Sequence, residues 1–188
     1  MRRLGYTRYV AQGGDQGASI TDAMGRQAPE ALLGIHMNLL VTALGGGAMP
    51  AETEQERAAL EQIQTFRTRA SATSLSRPRG LLTRDHILDN ITLYWLTGTG
   101  ASAARSYWES GRAQALAAAA GQARPEVKLP VGFTTFPDEI FRAPRSWVQK
   151  VYPTLAYFHE VDRGGHFAAW EEPELFAAEI RAAFESLR

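Results

Sequence analysis

Short apolar runs alternating with helix-length stretches predict an α/β fold whose core is interrupted by a helical insertion. Three observations carry this prediction. Tyr9-Val10-Ala11-Gln12 reads as a short buried strand that enters the glycine-rich turn Gly13-Gly14-Asp15-Gln16-Gly17 and leaves it as a helix over residues 18–26. Beyond Pro125 the pattern runs strand, helix, strand, helix. Between these two parts the patterning is helical. The predicted organisation is core over residues 1–48, a helical cap over 49–124, and core again over 125–188.

Taken in order, Pro29 helps end the first helix, and residues 34–39 form a second strand parallel to the first. Gly45-Gly46-Gly47-Ala48-Met49-Pro50 reads as a flexible exit loop, and residues 51–69, rich in Glu, Gln, Ala and Arg, as an exposed helix. Residues 67–84 collect five arginines with serines, threonines and Pro78. Lacking interleaved aromatics apart from Phe66, this stretch reads as a loop rather than a nucleic-acid patch. Thr83-Arg84-Asp85 caps a helix that runs through Asp89 into residues 90–96, and residues 102–122 supply another. The alanine run at 117–120 reads as exposed helical surface. Residues 131–137 read as a buried strand and 155–158 as a further strand, the latter leading through a loop into a terminal helix.

The turn at 13–17 has the form G-x-Nu-x-G, a nucleophile elbow, with an acid where a serine commonly stands. Such turns are crowded and strained, which favours small flanking residues. An aspartate at the apex points to alkyl-ester chemistry: its carboxylate attacks a saturated carbon, and water must cleave the resulting ester. The strand at 131–137 delivers Asp138 and Glu139 at its end, and Arg163-Gly164-Gly165-His166 puts a histidine in the loop after the last strand. The chain order is nucleophile, acid, histidine. Neighbouring side chains at a strand end point to opposite faces, so one of Asp138 and Glu139 faces His166.

The segments Gly13 to Gly17, Asn90-Ile91-Thr92-Leu93-Tyr94-Trp95-Leu96-Thr97-Gly98-Thr99 with Tyr107-Trp108-Glu109, Phe136-Pro137-Asp138-Glu139, and Gly164-Gly165-His166-Phe167-Ala168-Ala169-Trp170-Glu171-Glu172-Pro173 together resemble the microsomal-type epoxide hydrolases of the α/β-hydrolase superfamily. The resemblance runs over most of the chain and implies a partial α/β-hydrolase fold, the C-terminal half of the parallel sheet with flanking helices, carrying a shortened cap. It implies Asp15 as nucleophile, His166 as base, Glu139 as its acidic partner and Tyr107 as a cap tyrosine that hydrogen-bonds the epoxide oxygen. The backbone N–H of Gln16 becomes one of two oxyanion amides. The implied substrates are an epoxide and water, without a cofactor.

The chain departs from the family pattern in three ways. Strands and a His-Gly loop that precede the elbow in family members have no counterpart before Tyr9; Gln16 replaces the usual tryptophan; and the cap segment between Phe66 and Leu82 is short and lacks a second tyrosine. The expectation is a fragment, inactive alone, that self-associates through an exposed sheet edge. Two alternatives stand beside it: a non-catalytic remnant or interaction module, and a haloalkane dehalogenase-like hydrolase. The latter uses halide-binding donors, often a tryptophan just after the nucleophile, and Gln16 argues against it.

Composition bounds the partners. With 188 residues, 45% hydrophobic and 21% charged, the chain is of ordinary globular make-up. Its 20 basic and 20 acidic residues cancel, giving no field toward nucleic acid or an anionic membrane. The absence of cysteine excludes disulfides and zinc-thiolate sites. No apolar run suggests a signal peptide or membrane span, so the chain reads as soluble and cytoplasmic. His36 lies in an apolar strand and reads as a core histidine, His86 sits in the first turn of a helix, and His159 ends a strand beside Glu160. No histidine pair has metal-ligand spacing, and no metal is expected. Tyr94 and Trp95 read as packing residues.

Overall fold

A computed structural model describes residues 1–44, 49–69, 82–119 and 125–187. The glycines at 45–48, most of the arginine-rich loop, the end of the helix expected to reach 122, and the side chains of the alanine run at 117–120 lie outside the described residues.

Four parallel strands form one sheet in sequence order: β1 (Tyr9–Gly13), β2 (Leu32–Met37), β3 (Val131–Thr135) and β4 (Leu155–Glu160). Ala11 pairs with Ile35, Met37 with Phe133, and Phe133 with Phe158. Parallel neighbours need crossovers, and helices supply them. Helix α1 (Asp15–Gln27) joins β1 to β2. Helices α2 (Val41–Leu44), α3 (Glu54–Arg69), α4 (Arg84–Thr97) and α5 (Gly100–Ala119) lie between β2 and β3. Helix α6 (Arg145–Val151) joins β3 to β4, and α7 (Ala168–Glu171) and α8 (Pro173–Ala183) follow. Every residue of β3 is buried, the mark of a central parallel strand covered on both faces.

One face of the sheet packs Ile35, Met37 and Phe133 into a core with Trp147 and Tyr152. The polar atoms of that core are paired: Trp147 Nε1 donates to the Pro50 carbonyl at 2.8 Å, and the Tyr152 hydroxyl donates to Asp22 at 2.7 Å. Asp22 in turn holds Arg26 one helical turn away, at 2.8 Å and 2.9 Å. A polar cluster from β2, β3, β4 and α8 runs from the buried His36, Thr134 and Glu179 out to the exposed His159. His36 Nε2 meets the Thr134 hydroxyl at 3.0 Å, and Glu179 of α8 accepts from Thr134 at 3.0 Å and Tyr157 at 2.9 Å, with His159 Nδ1 at 2.9 Å. Burial, opposed in part by the charge of Glu179, pushes the His36 imidazole down to about 4. The same burial, with the Glu179 carboxylate beside it, pushes the Tyr157 phenol up to about 12.

Helix α3 corrects the expectation of an exposed helix. Glu56, Ala59 and Ile63 are buried, a stripe at helical spacing, and Ala59 and Ile63 join the main core. The stripe begins with a glutamate, which disguises it. Glu56 accepts from the Ser146 hydroxyl at 2.6 Å and from the backbone N–H of Thr53 at 3.0 Å, contacts that hold its carboxyl below the ordinary value. Helix α4 begins as expected, with the Thr83 hydroxyl accepting from the His86 N–H at 3.3 Å, and ends at Gly98 with φ 63°. Apart from half-buried Ile87, its apolar residues are exposed, contrary to the packing role expected for Tyr94 and Trp95; Trp95 is 81% exposed. No helix among the described residues is long and apolar enough to cross a membrane.

Candidate active site

The carboxyl ends of parallel strands are where α/β sheets bring functional side chains together. Here β1 runs into Gly13, Gly14 caps α1, and Asp15 opens the helix at φ 48°, in the left-handed region. The strain of the elbow therefore sits on the aspartate itself. A Cβ on Gly13 would collide with the Gly17 carbonyl, backbone that cannot give way, whereas one on Gly14 would stand 2.6 Å from Asn38 Oδ1 and would have to displace that side chain. Gly17 differs from the expectation: a Cβ there would meet open space.

The loops after β3 and β4 are stitched by a backbone bridge between Asp138 and Gly165, with the Asp138 N–H donating to the Gly164 carbonyl at 3.1 Å. Gly164 takes φ 96°, which favours glycine there. This clasp sets Glu139 against His166. The Glu139 Oε1 to His166 Nδ1 distance is 2.6 Å, and the two side chains are 0% and 5% exposed. On its other side, His166 Nε2 lies 3.6 Å from Asp15 Oδ2, and Asp15 is 45% exposed. The carboxylate of Glu139 is held further by the Ile140 N–H at 2.8 Å on Oε1 and by Asn38 Nδ2 at 3.4 Å on Oε2. Asp138 is exposed and contributes backbone to the clasp.

Burial of the His166 ring disfavours its charge, but hydrogen bonds and attraction from Asp15 and Glu139 outweigh this and hold the imidazole up at about 10. The three groups form an ordered relay: an accessible carboxylate at a strained apex, a protonatable ring, and a buried carboxylate behind it. Such a set can attack carbon, then activate water at the same spot.

A cavity of about 210 Å³ opens on this cluster between Asp15, Asn38, His166, Trp170 and Phe176. A larger groove of about 530 Å³ lies between residues 5–10 and the end of α8, but the relay residues do not line it, so the chemistry assigns the smaller one. Gln16 is the second residue of α1, where backbone N–H groups lack intrahelical partners. Tyr107 is not brought in: it stands on α5, 62% exposed, and does not line the cavity. Gln12 and Asn38 line it without having been singled out in the sequence. Asn38 carried one signal, a polar residue at the carboxyl end of an apolar strand. Among the described residues no group of three or more metal-ligating side chains occurs.

The sheet, elbow and relay define an α/β-hydrolase fold, and solved structures of that class superpose on the chain. A directed-evolution mutant of Aspergillus niger epoxide hydrolase aligns with a TM-score of 0.73 at 24% identity, covering 99% of this chain and 54% of that one. The Bombyx mori juvenile hormone epoxide hydrolase gives 0.66 at 23% identity, covering 99% and 56%. No protein-family model matches. In sequence, a Stigmatella aurantiaca protein provisionally named an epoxide hydrolase is 39% identical over 223 residues, covering 100% of this chain and 49% of its own length. Epoxide hydrolase 1 of Sus scrofa is 30% identical over 236 residues, covering 96% of this chain and 52% of its own length. The chain is a partial homologue of the epoxide hydrolases, and it spans about half the length of the curated relatives it matches.

Proposed function

We propose that this site opens an epoxide to a vicinal diol through an ester on Asp15. The observation that carries the reading is the placement of Asp15, at positive φ on an elbow, 3.6 Å from a histidine that is itself bonded to a buried carboxylate. An Asp15 oxygen attacks an epoxide carbon, the ring C–O bond breaks, and the released alkoxide takes up a proton. Ester formation removes one of the two negative charges that keep His166 protonated. The ring then gives up its Nε2 proton, which balances the one the alkoxide gains, and becomes a base at the step that needs one. His166 next takes a proton from water, which attacks the ester carbonyl. The acyl C–O bond of the tetrahedral intermediate breaks, the departing oxygen takes the second proton of the attacking water, the diol leaves, and the Asp15 carboxylate and the protonated ring are restored. Glu139 keeps Nδ1 protonated and aims Nε2 at the nucleophile throughout. The Gln16 N–H is the proposed donor to the tetrahedral oxyanion, and Tyr107 the proposed donor to the epoxide oxygen, the latter supported by family resemblance alone.

Styrene oxide with detection by mass spectrometry tests the reading. His166→Gln should accumulate one substrate mass on Asp15, and Asp15→Ala should carry none. An adduct on Glu139, or epoxide consumption with no adduct on the His166 variant, removes Asp15 from this role. A second reading, a non-catalytic module that pairs through the sheet edge, is favoured by β1, whose outer edge has no strand partner among the described residues.

A further inference from the structure

The geometry points to Asn38 as a positioning residue that acts on His166 through Glu139, with Gln12 behind it. The proposal rests on the proposed relay for its catalytic meaning. Asn38 is buried and stands just past the end of β2, beneath the elbow. An ionised carboxylate only accepts hydrogen bonds, so the amide must turn its Nδ2 toward Glu139 Oε2, at 3.4 Å. Its Oδ1 is then committed to an acceptor role, and Gln12 Nε2 fills it at 3.2 Å. The polarity of the whole series, Gln12 to Asn38 to Glu139 to His166, follows from the charge of one buried carboxylate.

This arrangement divides the two oxygens of Glu139. Oε1 takes the His166 ring and the Ile140 N–H, while Oε2 takes Asn38. Pinning both ends fixes the carboxylate plane, and that plane decides which His166 nitrogen carries the proton in the neutral ring. The elbow is built around the same side chain: a Cβ on Gly14 would stand 2.6 Å from Asn38 Oδ1 and push the amide off Glu139. The glycine before the nucleophile thus makes room for the device that orients the base.

The tautomer of neutral His166 is the quantity to measure, because general loss of packing does not select one ring nitrogen. In an Asp15→Asn background, which removes one charge holding the ring protonated, nitrogen NMR at alkaline pH reads the proton position without substrate. With Asn38 in place the proton sits on Nδ1. Asn38→Leu in that background should raise the Nε2–H to Nδ1–H ratio by roughly tenfold, the effect of one hydrogen bond to a charged group. Gln12→Leu, at a partly exposed site, should move it in the same direction by less and covers the case in which Asn38→Leu does not fold. An unchanged ratio in a folded Asn38→Leu, or in Gln12→Leu where only that variant folds, overturns the proposal. Because no turnover is involved, that result is separate from failure of the Asp15 adduct, which would overturn the epoxide reading instead.

Discussion

Replacing Glu139 with glutamine should lower the titration midpoint of His166 by roughly two to three pH units. Two unit charges about 4 Å apart at an effective dielectric near 20 attract by about 4 kcal/mol, and each pH unit is worth about 1.4 kcal/mol. The pair here is closer than that, at 2.6 Å, and both side chains are withdrawn from water, so screening does not erase the effect. The glutamine still offers an oxygen to Nδ1, which limits the loss to the charge. Starting from about 10, the ring should therefore titrate between roughly 7 and 8. Asp138→Asn removes a neighbouring charge that faces solvent and should move the midpoint little. Proton NMR of the imidazole, assigned by loss of the signal in His166→Gln, gives both numbers. A midpoint that stays near 10 without the Glu139 charge, or drops further in Asp138→Asn, refutes the reasoning. The sign for stability follows: a raised histidine midpoint stabilises the fold fully below about 6.5, and the contribution disappears as pH rises through about 10. Glu139→Gln should shift that alkaline loss to lower pH.

His36 should act in the opposite direction. Its neutral form is favoured by burial, so the fold should lose about 3 kcal/mol as pH falls from about 6.5 through about 4, and His36→Leu should flatten that acid limb in chemical denaturation. Gly13→Ala should destroy the elbow, because the new methyl meets backbone that cannot swing aside; a folded Gly13→Ala chain that keeps the elevated His166 midpoint would contradict this.

The strands were legible because their cues are local. Residues 131–135 and 155–158 are apolar-rich runs preceded by Pro130 and Pro153, and Thr83 stands just ahead of a helical pattern, where its hydroxyl can cap. The turn that carries Asp15 and the loop that carries His166 were legible from glycines that mark sharp turns. What stayed hidden depends on partners distant in sequence. The choice between Asp138 and Glu139 turns on one residue of phase after β3, which the clasp to Gly165 sets from outside the strand. Glu56 looked like a surface charge until Ser146, ninety positions away, supplied its hydrogen bond. Asn38 shows in the sequence only as a polar residue ending an apolar strand, because its hydrogen-bond partners, Gln12 and Glu139, lie far from it along the chain.

The arrangement around Asp15 leads to the last prediction, that residues 1–188 by themselves open styrene oxide slowly. Asp15, the proposed nucleophile, is partly open to solvent, and the small cavity does not enclose a reacting centre against water. The tyrosine proposed to stabilise the ring oxygen stands outside that cavity on α5. Loss of one such donor costs about 10²–10³-fold in rate, and a misplacement of about 1 Å can cost about 10²-fold more. Exposed Ile91, Leu93, Trp95 and Leu96 on α4, with the outer edge of β1, offer apolar and hydrogen-bonding surface that a free chain should bury by self-association. Diol formation by this chain should therefore fall at least about a hundredfold below that of the Stigmatella aurantiaca relative assayed beside it. Size-exclusion chromatography should show species larger than one chain. A monomer that matches the relative in turnover would mean that Tyr107 is not needed at the ring oxygen, or that α4 and α5 close over Asp15 when substrate arrives.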